Sequence, residues 1–230
     1  MTMKKLMMMT IGLIATMSAS AQVDAGDWAI TPRVGIGIAD LTGKLYDPDK
    51  AAGSYDATLH PITSFVAGIE AEYGMTDQLS LAFGMAFSTQ GAKTTDGLFK
   101  VAMDYLNVPV TVQFYPIPKC GLAIKAGAQF SFLTRKKITI DGRTYDADYH
   151  KVLLRNRWGG YNVTYVETEV SKQFNKFDFS IPIGISYELY HFVLDARYNL
   201  GLTKVMKDDP EASKHSVWQF TLGYKFDLGD

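Results

Sequence analysis

His215 and Ser216 stand side by side, and Asp208 and Asp209 lie shortly before them. A histidine, a hydroxyl and nearby carboxylates are the parts of base-assisted hydrolysis, so the pair is a candidate for ester chemistry. The other histidines, His60, His150 and His191, add no spaced motif. No His, Asp or Glu cluster has metal-ligand spacing, and no glycine-rich strand-to-helix turn is present to cradle a phosphate. Cys120 is the single cysteine, which rules out an internal disulfide and a Cys-based structural zinc site. No cofactor and no metal are expected. More unusual are nine charged residues dispersed among apolar ones: Arg33, Glu70, Glu72, Lys125, Glu188, Asp195, Arg197, Lys225 and Asp227. Their chemistry is mutual pairing, because a charge held in a poorly hydrated space is costly unless it has a partner. A third group sits in the stretch 135–176, where basic residues outnumber acidic ones and Arg155, Arg157, Trp158 and Tyr161 fall close together. Guanidinium forks with aromatic anchors suit anionic phosphates or a protein partner.

The elements that hold these residues are strands. In Tyr105–Tyr115, Leu106, Val108, Val110, Val112 and Phe114 fall on one face, and Asn107, Pro109, Thr111, Gln113 and Tyr115 on the other. Successive side chains of a strand point to opposite faces, and about ten such residues cross a bilayer as a tilted barrel strand. Seven further stretches repeat the design, at about 28–39, 63–73, 78–90, 122–134, 177–189, 192–201 and 216–228. All nine charged residues fall on the polar faces of these stretches. The expected fold is all-β: an eight-stranded antiparallel up-and-down transmembrane β-barrel. Its apolar faces meet lipid, and its charges share a lumen that eight strands leave just wide enough for side chains. Outward aromatics form two girdles, with Trp28, Tyr73, Tyr187, Phe192, Tyr224 and Phe226 at one end and Phe65, Phe87, Phe130, Phe132, Phe179, Trp218 and Phe220 toward the other. Pro32, Pro109 and Pro182 lie inside strands. Proline cannot donate to a ladder and a closed barrel has no edge, so each demands a bulge or an unpaired position.

Composition sets the bounds. The chain has 230 residues, is 47% hydrophobic and 20% charged, and carries a formal net charge of −1, which gives no case for nucleic acid. Residues 1–21 read as a signal peptide, with Lys4 and Lys5, an apolar run from Leu6 to Met17 and Ala19-Ser20-Ala21 at the cleavage site. Cleavage after Ala21 leaves 22–230 as the barrel domain, exported by the general secretory route. The connections alternate long and short, and outer-membrane barrels keep their short turns periplasmic. The stretches 40–62, 91–102, 135–176 and 203–215 are therefore expected outside the cell, with both termini periplasmic. Outer-membrane lipid and lipopolysaccharide are the expected surroundings, and the basic stretch 135–176 is the expected contact.

Tyr105-Leu106-Asn107-Val108-Pro109 through Tyr115, Gly127–Phe132, Asp195–Leu202 and Leu222–Phe226 together resemble the PorT-like outer-membrane β-barrel family of Bacteroidetes-type bacteria, over the whole mature chain. The resemblance implies the barrel fold and insertion by the outer-membrane assembly machinery, which reads the last strand. The expected function is non-enzymatic: a barrel with a side-chain-filled interior, structural or interacting through its extracellular loops. A narrow small-solute channel is one alternative. A lipid-modifying barrel enzyme using His215 and Ser216 is another, and a secretion accessory, by family analogy, is a third. The residues name no specific partner.

Overall fold

The structure is a computed structural model that describes residues 22–42, 59–94, 99–140, 142–146, 154–155, 161–162, 175–205 and 214–229. The signal-peptide stretch 1–21 lies outside them. Eight long strands build one wall: β1 (Trp28–Thr42), β2 (Leu59–Gly74), β3 (Leu79–Thr94), β4 (Phe99–Phe114), β5 (Leu122–Ile140), β9 (Phe177–Leu189), β10 (Phe192–Lys204) and β11 (Lys214–Tyr224). Each pairs antiparallel with the next, and β11 returns to β1 through Arg33↔Gly223 to Thr42↔Lys214, which closes the barrel. Short pieces complete the chain. β6 (Arg143–Asp146) folds back on the end of β5, β7 (Leu154–Arg155) pairs with β8 (Tyr161–Asn162), and β12 (Phe226–Asp227) continues β11 beyond Lys225. In the β5–β6 hairpin Ile140 stands opposite Arg143. Residues 163–170, where the alternation also suggests strand, lie outside the described residues.

Burial is inside out. Val34 is 53% exposed and Leu194 57%, whereas Lys125 is 2% exposed and Lys225 1%. In water such an arrangement would forfeit the hydrophobic term and strand the charges. It is stable only where the outer face meets lipid. The girdles follow: Trp28 lies 4.9 Å from Tyr73 at one end, and Phe132 lies 5.7 Å from Phe177 at the other.

β1, β3 and β10 run further toward the long-loop end than the alternation predicts, so those connections begin later than 40, 91 and 203, whereas β5 continues past 135 into the hairpin that the alternation of Ile138–Tyr145 suggests. Beyond the membrane edge the pattern inverts. Many inward positions become apolar, with Leu41, Ala92, Val101, Met103, Tyr105 and Val205 forming one buried cluster, while Gln90 and Lys136, opposite Met103, are buried there too. Outward positions become polar, with Asp40, Thr89 and Asp104 following Ile38, Phe87 and Leu106 on their strands. Asp104 accepts a hydrogen bond from the Thr89 hydroxyl at 2.7 Å and faces Lys137 Nζ at 3.8 Å.

Pro32, Pro109 and Pro182 each interrupt one ladder and leave the register intact, whereas the β2–β3 register shifts between Pro61 and Val66. Pro109 stays opposite Gln129 of β5, but the β3–β4 ladder skips from Phe83↔Val110 to Ala86↔Asn107. Pro182 stays opposite Asn199, while the β5–β9 ladder skips from Ala126↔Ile183 to Gln129↔Ser180. Pro32 stays opposite Ile69, and across the closing seam pairing passes from Arg33↔Gly223 to Ile30↔Phe226. All three are unpaired positions rather than bulges, because the missing proline N–H faces one neighbour only. Backbone crowding also fixes two glycines. A Cβ on Gly35 would stand 2.0 Å from the Phe220 carbonyl oxygen, and one on Gly127 would stand 2.0 Å from that of Val110.

At the short-turn end the lead 22–27 tucks against the wall. Gly26 N–H donates to the Gly74 carbonyl at 2.8 Å, and Gly74 N–H donates to the Asp27 carbonyl at 3.0 Å. The Gln22 side chain bridges two turns: its amide donates to the Asp77 carbonyl at 2.5 Å, and its oxygen accepts from Lys119 N–H at 2.6 Å.

Candidate functional site: the layered barrel interior

Inward-facing side chains from eight strands stack in layers. The layer nearest the short turns centres on Lys225, whose Nζ lies 2.9 Å from Glu72 Oε2 and 2.7 Å from Glu188 Oε1. The Tyr115 hydroxyl is placed to donate to both carboxylates, at 2.8 Å to Glu72 and 2.9 Å to Glu188. Ser80 donates to Glu72 Oε1 at 2.6 Å. The next layer holds Arg33, Lys125 and Arg197 against Glu70 and Asp195. Arg33 pairs with Glu70 at 2.5 Å, Lys125 with Asp195 at 3.1 Å, and Arg197 with both carboxylates at 3.3 Å. The first layer carries one cation and two anions, and the second carries three cations and two anions. Charge therefore balances between the layers rather than within either one.

An amide layer follows. Asn107 donates to Ser88 Oγ at 2.8 Å and to the Ala86 carbonyl at 3.2 Å, and Gln129 donates to Asn107 Oδ1 at 3.4 Å. Above it the Tyr105 hydroxyl meets His215 Nε2 at 3.2 Å, and the apolar cluster around Met103 follows.

Eight of the nine charged residues named from the sequence meet in these two ionic layers. Asp227 does not join them. It lies on β12 past the interruption opposite Pro32, its side chain is 43% exposed, and its ion-pair neighbour is His191 Nδ1 at 3.8 Å. Tyr115 and Ser80 complete the first layer and were not singled out with the charges, because neutral hydroxyls give no charge signal. Their signal was position: Tyr115 closes the polar face of the fourth alternating stretch.

The His215–Ser216 pair is separated by the geometry of the strand. Both residues belong to β11, where consecutive side chains point to opposite faces. His215 is buried in the lumen at 2% exposure, whereas Ser216 points outward and shares a hydrogen bond of 3.0 Å with the Tyr198 hydroxyl. One residue cannot deprotonate the other through a barrel wall. Asp208 and Asp209 lie outside the described residues. In the loop group, Arg155 stands opposite Tyr161 in the β7–β8 pair, and Arg157 and Trp158 lie outside the described residues.

Removing the Tyr115 hydroxyl gives a local test of the first layer. Tyr115→Phe leaves two buried carboxylates short of a donor and should cost about 2 kcal/mol of unfolding free energy, the usual worth of a hydrogen bond to a charged group. Denaturant unfolding of the refolded barrel in micelles measures it, and an unchanged midpoint would show that the phenol is only filler.

A family model described as outer membrane protein beta-barrel domain matches residues 20–207. No curated protein sequence matches the chain. Among solved structures, Ail, the attachment invasion locus protein of Yersinia pestis, is 15% identical, with 88% of this chain and 99% of that one covered and a TM-score of 0.43. Neisserial surface protein A is 12% identical, with coverage of 86% and 97% and a TM-score of 0.48. The outer membrane protein OprG of Pseudomonas aeruginosa is 14% identical, with coverage of 89% and 97% and a TM-score of 0.45.

Proposed function

This chain belongs to the outer membrane protein β-barrel domain family, and we propose that it is a non-enzymatic barrel that passes no solute and acts by presenting its extracellular loops. The observation that carries this reading is the filled lumen. Two ionic layers, an amide layer and an apolar cluster succeed one another from the short turns to the loop end. A solute crossing it would have to break several buried ion pairs at once, each costly to open. Refolded protein in planar bilayers should give no steady single-channel currents, and steady steps would overturn the plug in favour of a narrow channel.

Within the family, we place the chain with the PorT-like barrels on its Tyr105–Tyr115, Asp195–Leu202 and Leu222–Phe226 segments. Residues 1–21 act as the export signal, the outer-membrane assembly machinery inserts the barrel, and the short turns face the periplasm. Cys120 tests the orientation without any substitution. It sits partly exposed in the turn after Tyr115. A membrane-impermeant maleimide should label it only after the outer membrane is permeabilised, and labelling of intact cells would reverse the topology.

The working surface is then the long third loop, with Arg155, Arg157, Trp158 and Tyr161 as contacts for lipopolysaccharide phosphates or an extracellular partner. Cationic forks and aromatic anchors support that assignment. Reversing both charges, Arg155→Glu with Arg157→Glu, should weaken lipopolysaccharide binding by about ten-fold or more, as the loss of two charge-assisted contacts implies. Unchanged binding would remove the loop from the account.

A further inference from the structure

Between the second ionic layer and the amide layer lies a cavity of about 20 Å³, lined among others by Arg33, Glu70, Asp195, Arg197, Gln219 and Thr221. Three of these carry polar atoms with no hydrogen-bond partner among the described residues: Arg33 Nε, Arg197 Nε and Thr221 Oγ1. All three residues are more than nine-tenths buried, at 8%, 4% and 7% exposure. The reason lies in how the guanidinium groups are used. Arg33 spends its terminal nitrogens on Glu70 and Asp195, at 2.5 and 3.6 Å. Arg197 spends Nη2 on the same two carboxylates, at 3.3 Å each. Neither Nε–H is left an acceptor, although a charged donor without one in a dry interior is costly.

The electrostatics have the same sign. Glu70 and Asp195 are each met by all three cations of the layer, so their own fields are screened. The layer holds one positive charge more than it holds negative. The compensating carboxylate belongs to the layer around Lys225, and neither Glu72, Glu188 nor Lys225 lines the cavity. Size narrows the occupant further. About 10–15 Å³ suffices for one water-sized particle, so this space takes one small sphere and excludes polyatomic oxyanions. The two N–H groups and the Thr221 hydroxyl supply three donors. Both Nε–H groups can only donate and the Thr221 hydroxyl can turn to donate, so one anion serves all three atoms, and the surplus positive charge of the layer favours it over a neutral water.

We propose that this cavity is a binding site for one chloride-sized monovalent anion, held by Arg33 Nε, Arg197 Nε and Thr221 Oγ1 at the centre of the barrel. The anion completes the donor count of the plug and neutralises the surplus cation beside it, so it acts as a structural ligand acquired as the barrel closes.

Bromide is the probe. Full-length mature barrel refolded and crystallised in bromide should show an anomalous peak between Arg33 and Arg197. Density with no anomalous signal there would mean a water and would overturn the site. A solution measurement stands beside it: the thermal midpoint of the folded barrel in micelles should rise with chloride and not with gluconate at equal ionic strength. Thr221→Val keeps every ion pair and removes one donor, so it should raise the half-saturating chloride concentration about ten-fold, the worth of one hydrogen bond to a charge. A wild-type midpoint indifferent to the choice of anion would overturn the proposal.

Discussion

Lys225→Met should lower the unfolding free energy of the folded barrel by about 3–5 kcal/mol, the cost of stripping the partner from buried charges. Methionine keeps the length and the apolar stem of lysine, so packing changes little. What changes is that Glu72 and Glu188, formerly 2.9 and 2.7 Å from Nζ, lose the cation that bridges them. Both are nearly inaccessible to water, so hydration cannot replace the lysine. Tyr115 cannot compensate, because its single proton already serves both carboxylates. Guanidinium unfolding in micelles, read by the mobility difference between folded and unfolded barrel on unheated gels, measures the loss. Combining Lys225→Met with Glu72→Gln and Glu188→Gln removes the stranded charges and should recover most of it, since the three residues act as one unit. A single variant within about 1 kcal/mol of wild type would show that water reaches the layer, and the plug would then be open at its short-turn end.

The alternation of apolar and polar residues made the eight strands, their facing and the inward charges legible, because one period-two pattern carries all three. Which charges meet was not legible. Glu70 and Glu72 are two positions apart on one face of β2, yet they belong to different layers with different cations. That sorting depends on the stagger between strands, which no single strand encodes. The ends of the strands at the loop side were hidden for another reason. Val101 and Met103 point inward and are apolar, while Lys100 and Asp104 point outward and are polar. This is the reverse of Leu106–Phe114 on the same strand, because the solvent outside changes from lipid to water at Asp104. A reading that expects one pattern per strand sees that reversal as the end of the strand. The separation of His215 from Ser216 was legible in principle. Adjacent residues of a strand cannot share a face, and only the placement of His215 in the connection 203–215, with Ser216 opening the last strand, kept them together as a candidate pair.

The same reversal fixes where an added charge will be tolerated. Val34 lies near the middle of the lipid-facing row of β1, opposite Ala67 on one side and Leu222 on the other. It is 53% exposed. On a soluble protein a half-exposed valine replaced by arginine changes stability by about 0.5 kcal/mol or less. Here Val34→Arg should cost about 2–4 kcal/mol, because the guanidinium is held at the depth of the acyl chains. Ile38→Arg lies closer to the interface at the long-loop end, and its side chain can reach head groups, so about 1 kcal/mol is expected. Thr42→Arg lies past Asp40 on the same row, and its effect should fall to about zero. The three positions span roughly 20 Å of height at the usual strand rise and tilt. The expected result is therefore a profile along one row of one strand, steep below Asp40 and flat above it, measured by unfolding each variant from the same lipid. Equal and small costs at all three positions would mean that water, not lipid, covers the outer face of β1, and that the buried charges of the lumen must be explained without a membrane.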